Sequence, residues 1–284
     1  MNFKEIKSKI KSFVEDKLFP LEPWILNSEW DEKLPKLNEL RGKVKSIGLW
    51  LPQISKEYGG LGLTLEQHGE VSEIIGASPY GFYVLNCQAP DAGNMEILIE
   101  CGSEEQKEQY LQPLLDGKIR SCFAMTEPDF AGSNPVKMGT VAVRENDHYI
   151  INGHKWFASG FDGAEFAIVM LVTDPEGNDP HKKASQIIVP TKAKGVKFIR
   201  NISIMGHPGG GWESHAEIKF DNVKVPSSNV LGEEGEGFAI AQKRLGPGRI
   251  HHCMRWIGEC EKAFEMMCER AASRELAPGK PLAM

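Results

Sequence analysis

A chain of 284 residues with 41% hydrophobic content can bury a substantial core and exceeds the size at which chains begin to divide, so two or three compact units are expected. Its net charge of -6 arises from 39 acids interspersed with 33 bases; without a long basic run, nucleic acid is not an expected partner. No apolar stretch approaches the roughly 20 residues that cross a bilayer and no secretory signal pattern opens the chain, so a cytoplasmic protein with no membrane partner is expected.

The first 17 residues are basic and amphipathic, with Phe3, Ile6, Ile10, Phe13 and Val14 at helical spacing until Pro20 and Pro23 stop the pattern. Glu5, Glu15 and Asp16 make this an opening helix rather than a transit peptide. Further helices are expected at about 31–47, 65–77, 91–101 and 104–115, with Ser103 as an N-terminal cap and Gly117 as a stop. Residues 1–118 therefore read as an N-terminal helical domain.

After Lys118 the period shortens. Alternation in Val141–Arg144, His148–Phe157 and His215–Phe220, where Ala216, Ile218 and Phe220 share a face, predicts strands. Phe166–Val172 and Gln186–Val189 read as strands buried on both faces, and Glu145-Asn146-Asp147 as a tight hairpin connection. Residues 119–230 thus form an antiparallel β domain. From Gly237 the helical period returns, breaks at Gly246-Pro247-Gly248 and resumes from Arg249 to about Arg274, a second helix of roughly 25 residues and about 40 Å. Residues 231–284 read as the start of a C-terminal helical bundle, and the overall class is α+β. The long helix carries Ile250, Met254, Ile257, Ala263, Phe264, Met267 and Ala271, an apolar surface that demands partners from elsewhere in the fold, from another subunit or from further sequence; a homodimer or homotetramer is expected.

Cys87, Cys101, Cys122, Cys253, Cys260 and Cys268 include no CxxC pair and read as reduced thiols. His251 and His252, adjacent on a helix, point about 100 degrees apart and cannot chelate one metal, so no metal site is expected. The glycines at 206, 209–211, 232, 235 and 237 do not make the dinucleotide-binding pattern. Glu213 and Asp129 are isolated acids, read as surface or turn residues.

The segment Phe123-Ala-Met-Thr-Glu-Pro-Asp-Phe-Ala-Gly-Ser133 lies where helix gives way to strand. Its strand end, hydroxyl and small-residue turn suit the polar edge of a flat heterocycle. They equally suit an ordinary strand followed by a Pro-Asp turn.

This segment resembles the flavin segment of the acyl-CoA dehydrogenases. The likeness is reinforced by Tyr149-Ile-Ile-Asn-Gly-His-Lys-Trp-Phe-Ala-Ser159-Gly160, Phe220-Asp-Asn-Val-Lys-Val-Pro226 and Gly235-Glu-Gly-Phe238, in that family's order and spacing, over nearly the whole chain. Arg244-Leu-Gly-Pro-Gly-Arg-Ile-His-His-Cys-Met-Arg255 resembles the branch of longer-chain members related to human family members ten and eleven. The resemblance implies FAD as cofactor, acyl-CoA as substrate, an electron-transfer flavoprotein as acceptor and, in a eukaryote, a mitochondrial or peroxisomal location. The reaction it implies is oxidation to 2,3-enoyl-CoA, with loss of an α-proton to a base and of a β-hydride to flavin N5.

By the same resemblance, the backbone of Phe123, Ala124 and Met125 and the Thr126 hydroxyl contact the flavin edge. Ser133 holds the pantetheine or a cofactor phosphate. Phe157 packs on the flavin, where Trp is commoner, and Ser159, beyond Ala158, approaches N5. Without the resemblance, Trp156 and Phe157 read as core aromatics. Arg249 would meet the CoA chain, and Arg274 the FAD pyrophosphate of a neighbouring subunit. Two acids of the family pattern are replaced by glycine: a CoA contact by Gly246, and a minority position of the catalytic base by Gly248. The commoner base lies further along the family's C-terminal bundle than Met284, so no catalytic residue is assigned. Alternative readings are a catalytically incomplete chain that only binds flavin or acyl-CoA, and an acyl-CoA oxidase or flavin monooxygenase on the same scaffold.

Overall fold

Helix starts follow local hydrogen-bond chemistry. The computed structural model describes residues 1–282. Helix α1 (Phe3–Phe13) opens on a capping box in which the Asn2 side chain accepts the Glu5 amide and Glu5 accepts the Asn2 amide. Pro20 and Pro23 do not end the helical path. After a π turn at Val14–Leu18 they take first-turn positions of a 3-10 turn (Phe19–Leu21) and of α2 (Glu22–Ile25), where a missing N–H costs nothing. There follow α3 (Trp30–Ser46), α4 (Leu65–Gly76), α5 (Gly81–Leu85), α6 (Asp91–Cys101), α7 (Glu104–Gln106) and α8 (Gln112–Leu115). Ser103 caps α7 as expected, and Gly117 has a left-handed φ of +65°.

The strands are β1 (Ser121–Ala124), β2 (Val141–Glu145), β3 (His148–Ser159), β4 (Phe166–Val172), β5 (Ala184–Pro190), β6 (Val196–Asn201) and β7 (His215–Pro226). Helix α9 (Gly237–Ser273) and a small hairpin of β8 (Glu275–Ala277) and β9 (Lys280–Pro281) follow. The α+β class expected from the sequence is what the chain adopts.

Two compact units make up the chain, one of Met1–Asn27 with Leu37–Cys87 and everything from Pro247 onward, the other of Ser28–Lys36 with Gln88–Gly246. In the first, α4 and α9 cross closely. A Cβ on Gly76 would stand 2.5 Å from the Arg255 carbonyl, and one on Gly258 1.9 Å from that of Glu73. His68 and His251 meet at this crossing, ring centroids 4.2 Å apart.

The second unit is built on a seven-stranded sheet of order β1-β4-β2-β3-β7-β6, with β5 also on β4. Its neighbours are antiparallel except where β1 and β2 join β4 in parallel, because the chain leaving β1 forms the β2–β3 hairpin before it returns as β4. All seven residues of β4 are buried, as the unbroken apolar run implies. Asn146, at φ +57°, turns β2 into β3. Ala216, Ile218 and Phe220 share the buried face of β7 and pack with Tyr149, Ile151 and Val169. Opposite that core, Met170 and Ala184 meet Ala241 of α9, with Phe123, Met125 and Phe238 against them. Strand β6 escapes sequence reading because its exposed edge carries no burial alternation.

The expected break at Gly246-Pro247-Gly248 is absent, and α9 runs unbroken for 37 residues with Pro247 inside it. A mid-helix proline removes one hydrogen bond and crowds the carbonyl four residues back. The cost is local, and the turns on either side continue the helix. Arg249 is therefore a mid-helix residue, not the opening of a new helix.

Candidate functional site

The two motif segments meet side by side in the second unit. Leaving β1, the Thr126 carbonyl accepts the Trp156 amide at 3.0 Å, and the Thr126 hydroxyl donates to the Trp156 carbonyl at 2.8 Å. Below them lies an ion pair between the same segments. Lys155 Nζ donates to Glu127 Oε1 and to the Met125 carbonyl, both at 2.8 Å, with the lysine side chain fully buried and that of Glu127 4% exposed. Burial draws the Lys155 ammonium down to about 8 against the pull of Glu127. Burial alone would raise the Glu127 carboxyl, but Lys155 and the Gly139 and Thr140 hydrogen bonds bring it below its usual range.

Next to this pair β3 bulges. Between Lys155 and Ala158 the pairing with β7 slips, and Phe157 takes a left-handed backbone at φ +49°, rare for a bulky residue. The bulge buries Ala158 in the core and turns the Phe157 ring outward, 42% exposed and 5.0 Å from the Trp156 ring. Ser159 closes β3 directly opposite His215, and its Oγ lies 2.8 Å from His215 Nδ1.

Phe123 and Ser159 line one cavity of about 480 Å³ with Trp212, Glu213, His215, Arg244 and the Ala89–Pro90 peptide, within the usual range of small-molecule sites. Arg244 lies 4.1 Å over the Phe123 ring and donates to Asn94 Oδ1 at 3.1 Å and the Pro90 carbonyl at 3.3 Å. Burial lowers its guanidinium to about 10, while burial raises nearby Glu96 to about 7 against the opposing pull of Arg244. Asn94 also donates to Ser121 Oγ, which donates to the buried carboxylate of Asp91, so α6, β1 and α9 share one polar chain. Trp212 Nε1 donates to the Ala89 carbonyl at 2.8 Å. Glu213 is not an isolated acid, for the nearly buried Lys33 holds it at 3.0 Å.

Of the expected site residues, Phe123, Ala124, Met125, Thr126, Phe157, Ala158 and Ser159 come together on adjoining strand ends. Ser133 sits in an exposed turn that folds back on Thr126, so that a Cβ on its neighbour Gly132 would stand 3.1 Å from the Thr126 methyl. Arg249 and Arg274 belong to the first unit, at an exposed position of α9 and just past its end. Sequence reasoning missed Arg244, His215 and the Glu127–Lys155 pair. The last could have been suspected, since each motif carries one uncompensated charge among residues that become buried.

Family models for the acyl-CoA dehydrogenase N-terminal, middle and C-terminal domains match residues 2–118, 122–223 and 235–284. Acyl-CoA dehydrogenase family member 10 of Mus musculus is 42% identical over 98% of the chain, and the chain spans only 27% of that protein. A solved Mycobacterium abscessus chain assigned to the acyl-CoA dehydrogenases superposes with a TM-score of 0.91 at 38% identity, over 99% of this chain and 72% of its own. A Mycobacterium smegmatis glutaryl-CoA dehydrogenase solved in complex with FADH2 has a TM-score of 0.77 at 26% identity, over 99% of this chain and 67% of its own.

Proposed function

Because the chain belongs to the acyl-CoA dehydrogenase family, we propose that it binds FAD and acyl-CoA and serves the oxidation of acyl-CoA to 2,3-enoyl-CoA, with an electron-transfer flavoprotein as acceptor. The observation that carries this reading is the pairing of Phe123–Thr126 with Trp156–Ser159 beside a cavity of suitable size. Strain at Phe157 supports it, since a bulky side chain held in a left-handed backbone with its ring exposed is characteristic of a ligand-facing position.

The residues present fit a flavin. When bound, FAD supplies the two-electron acceptor for the hydride lost from the substrate β-carbon. Phe157 offers it an aromatic face. Phe123, Ala124 and Met125 offer backbone groups, and the Lys155 bond to the Met125 carbonyl holds that strand end still. Thr126 has its proton committed to Trp156 and meets a ligand as an acceptor. Ser159 presents a hydroxyl to the cavity. Ser133, Arg249 and Arg274 retain their proposed roles toward the pantetheine or phosphate, the CoA chain and the pyrophosphate, with the last reached in a neighbouring subunit of a homo-oligomer.

A second reading, binding without dehydrogenation by these 284 residues, is favoured by Gly248. It stands inside α9 where a minority of the family carries the base. Visible spectra of the purified protein, before and after anaerobic addition of acyl-CoA of several chain lengths, separate the readings. A yellow protein that bleaches supports the dehydrogenase; one that stays yellow supports binding alone. Reduction followed by fast reoxidation in air favours an oxidase, and a protein that takes up no FAD sinks both.

A further inference from the structure

We propose that His215 is a positioning residue for Ser159, setting whether the Ser159 hydroxyl donates its proton to His215 Nδ1 or turns it toward the occupant of the cavity. The proposal rests on reading this cavity as the flavin site, and it adds a residue outside the motifs that suggested that reading.

The geometry begins with register. Strands β3 and β7 pair antiparallel so that Ser159 is directly opposite His215. Their neighbours Ala158 and Ala216 are fully buried on the core face, so Ser159 and His215 point together to the other face, where both line the cavity. Oγ and Nδ1 are 2.8 Å apart, a full hydrogen bond. The strand ends that carry them are held in place. The Gly160 amide donates to the Ser214 carbonyl at 2.8 Å, the Asp162 amide to Ser214 Oγ, and Arg120 to the carbonyls of Gly160 and Asp162.

A hydroxyl has one proton and a ring nitrogen either carries one or does not, so this contact has two polarities. With Nδ1 unprotonated, Ser159 donates to the ring and offers the cavity lone pairs alone. With Nδ1 protonated, the ring donates to Oγ and the hydroxyl proton faces the cavity. Charged groups on every side bear on the balance. Arg244 of α9 lines the same cavity and disfavours a second cation. Glu213 is already held by Lys33, and Glu217, two residues along the same face of β7, by His154 and Arg200. Partial burial also holds the imidazole below its ordinary value, so the neutral ring is the resting form near neutrality.

Nitrogen NMR of the full chain without cofactor, titrated from about pH 5 to 8, tests the pair directly. The expected result is a neutral His215 protonated on Nε2, whose titration midpoint moves in Ser159→Ala. The same titration of the FAD-loaded protein is read from the flavin absorption band. A single proton transition that coincides with the His215 midpoint is expected in the natural chain. It is lost in His215→Asn, whose amide can still meet Ser159 but cannot titrate, while FAD remains bound. A His215 midpoint indifferent to Ser159→Ala, or a band that titrates alike in the natural chain and His215→Asn, overturns the proposal. Failure to take up FAD overturns the flavin reading of the cavity instead, and the nitrogen spectra still decide the pair.

Discussion

Glu127 and Lys155 show how one contact joins two distant motifs. Both side chains are almost completely withdrawn from water, and neither charge is compensated except by the other and by backbone groups of Met125, Gly139 and Thr140. Removing one member of such a pair leaves a buried charge and costs about 3–5 kcal/mol, whereas removing both costs less. Glu127→Gln is therefore expected to lose stability in that range, measured by urea unfolding. The double variant Glu127→Gln/Lys155→Met should recover part of the loss. Equal destabilisation of the single and double variants would show that the pair is not coupled. At this scale the sequence is only half legible. The motifs mark both residues, but nothing along the chain says that their side chains meet across 28 positions.

Among the elements, the crossing of α4 with α9 rests on small residues and on two histidines that are neutral when folded. Burial, with a second contribution from a neighbouring histidine, holds His68 at about 3 and His251 at about 4, and neither Nδ1 has a hydrogen-bond partner among the described residues. An unfolded histidine titrates near 6.5, so below that pH the unfolded chain binds more protons than the folded one. Stability is fully present above about pH 6.5 and is lost as the pH falls toward 4. Thermal melts should show this decline, and it should be shallower in His68→Gln/His251→Gln. Glycines in α9 make a sharper comparison. Gly248→Ala has open space and a helical backbone, so it should gain about 0.8–1 kcal/mol. Gly258→Ala drives a methyl into the Glu73 carbonyl and should lose about 1–3 kcal/mol or more. Calorimetry on the two single variants decides it, and the same sign for both would contradict the assigned crossing.

For the whole molecule, the exposed apolar face of α9 has the largest consequence. Ile250, Ile257, Phe264 and Met267 recur at intervals of seven and three along the helix, each more than 40% exposed. A chain of these 284 residues is expected to self-associate, and light scattering showing a monodisperse monomer would count against it. The sequence by itself determined the helical opening, the β middle, the helical close and the strand ends that carry the motifs. Period, capping residues and turn residues are local properties, and each acts within a few positions of the chain. Only the tertiary structure decided that α9 passes through Gly246-Pro247-Gly248, because helical turns anchored on one side at Ile240 and Ala241 and on the other at Gly258 outweigh one missing hydrogen bond. It alone set β3 against β7 so that Ser159 meets His215, and brought Arg244 over Phe123. Those contacts join residues 56 and 121 positions apart. Their partners are chosen by strand register and core packing, which no local pattern encodes.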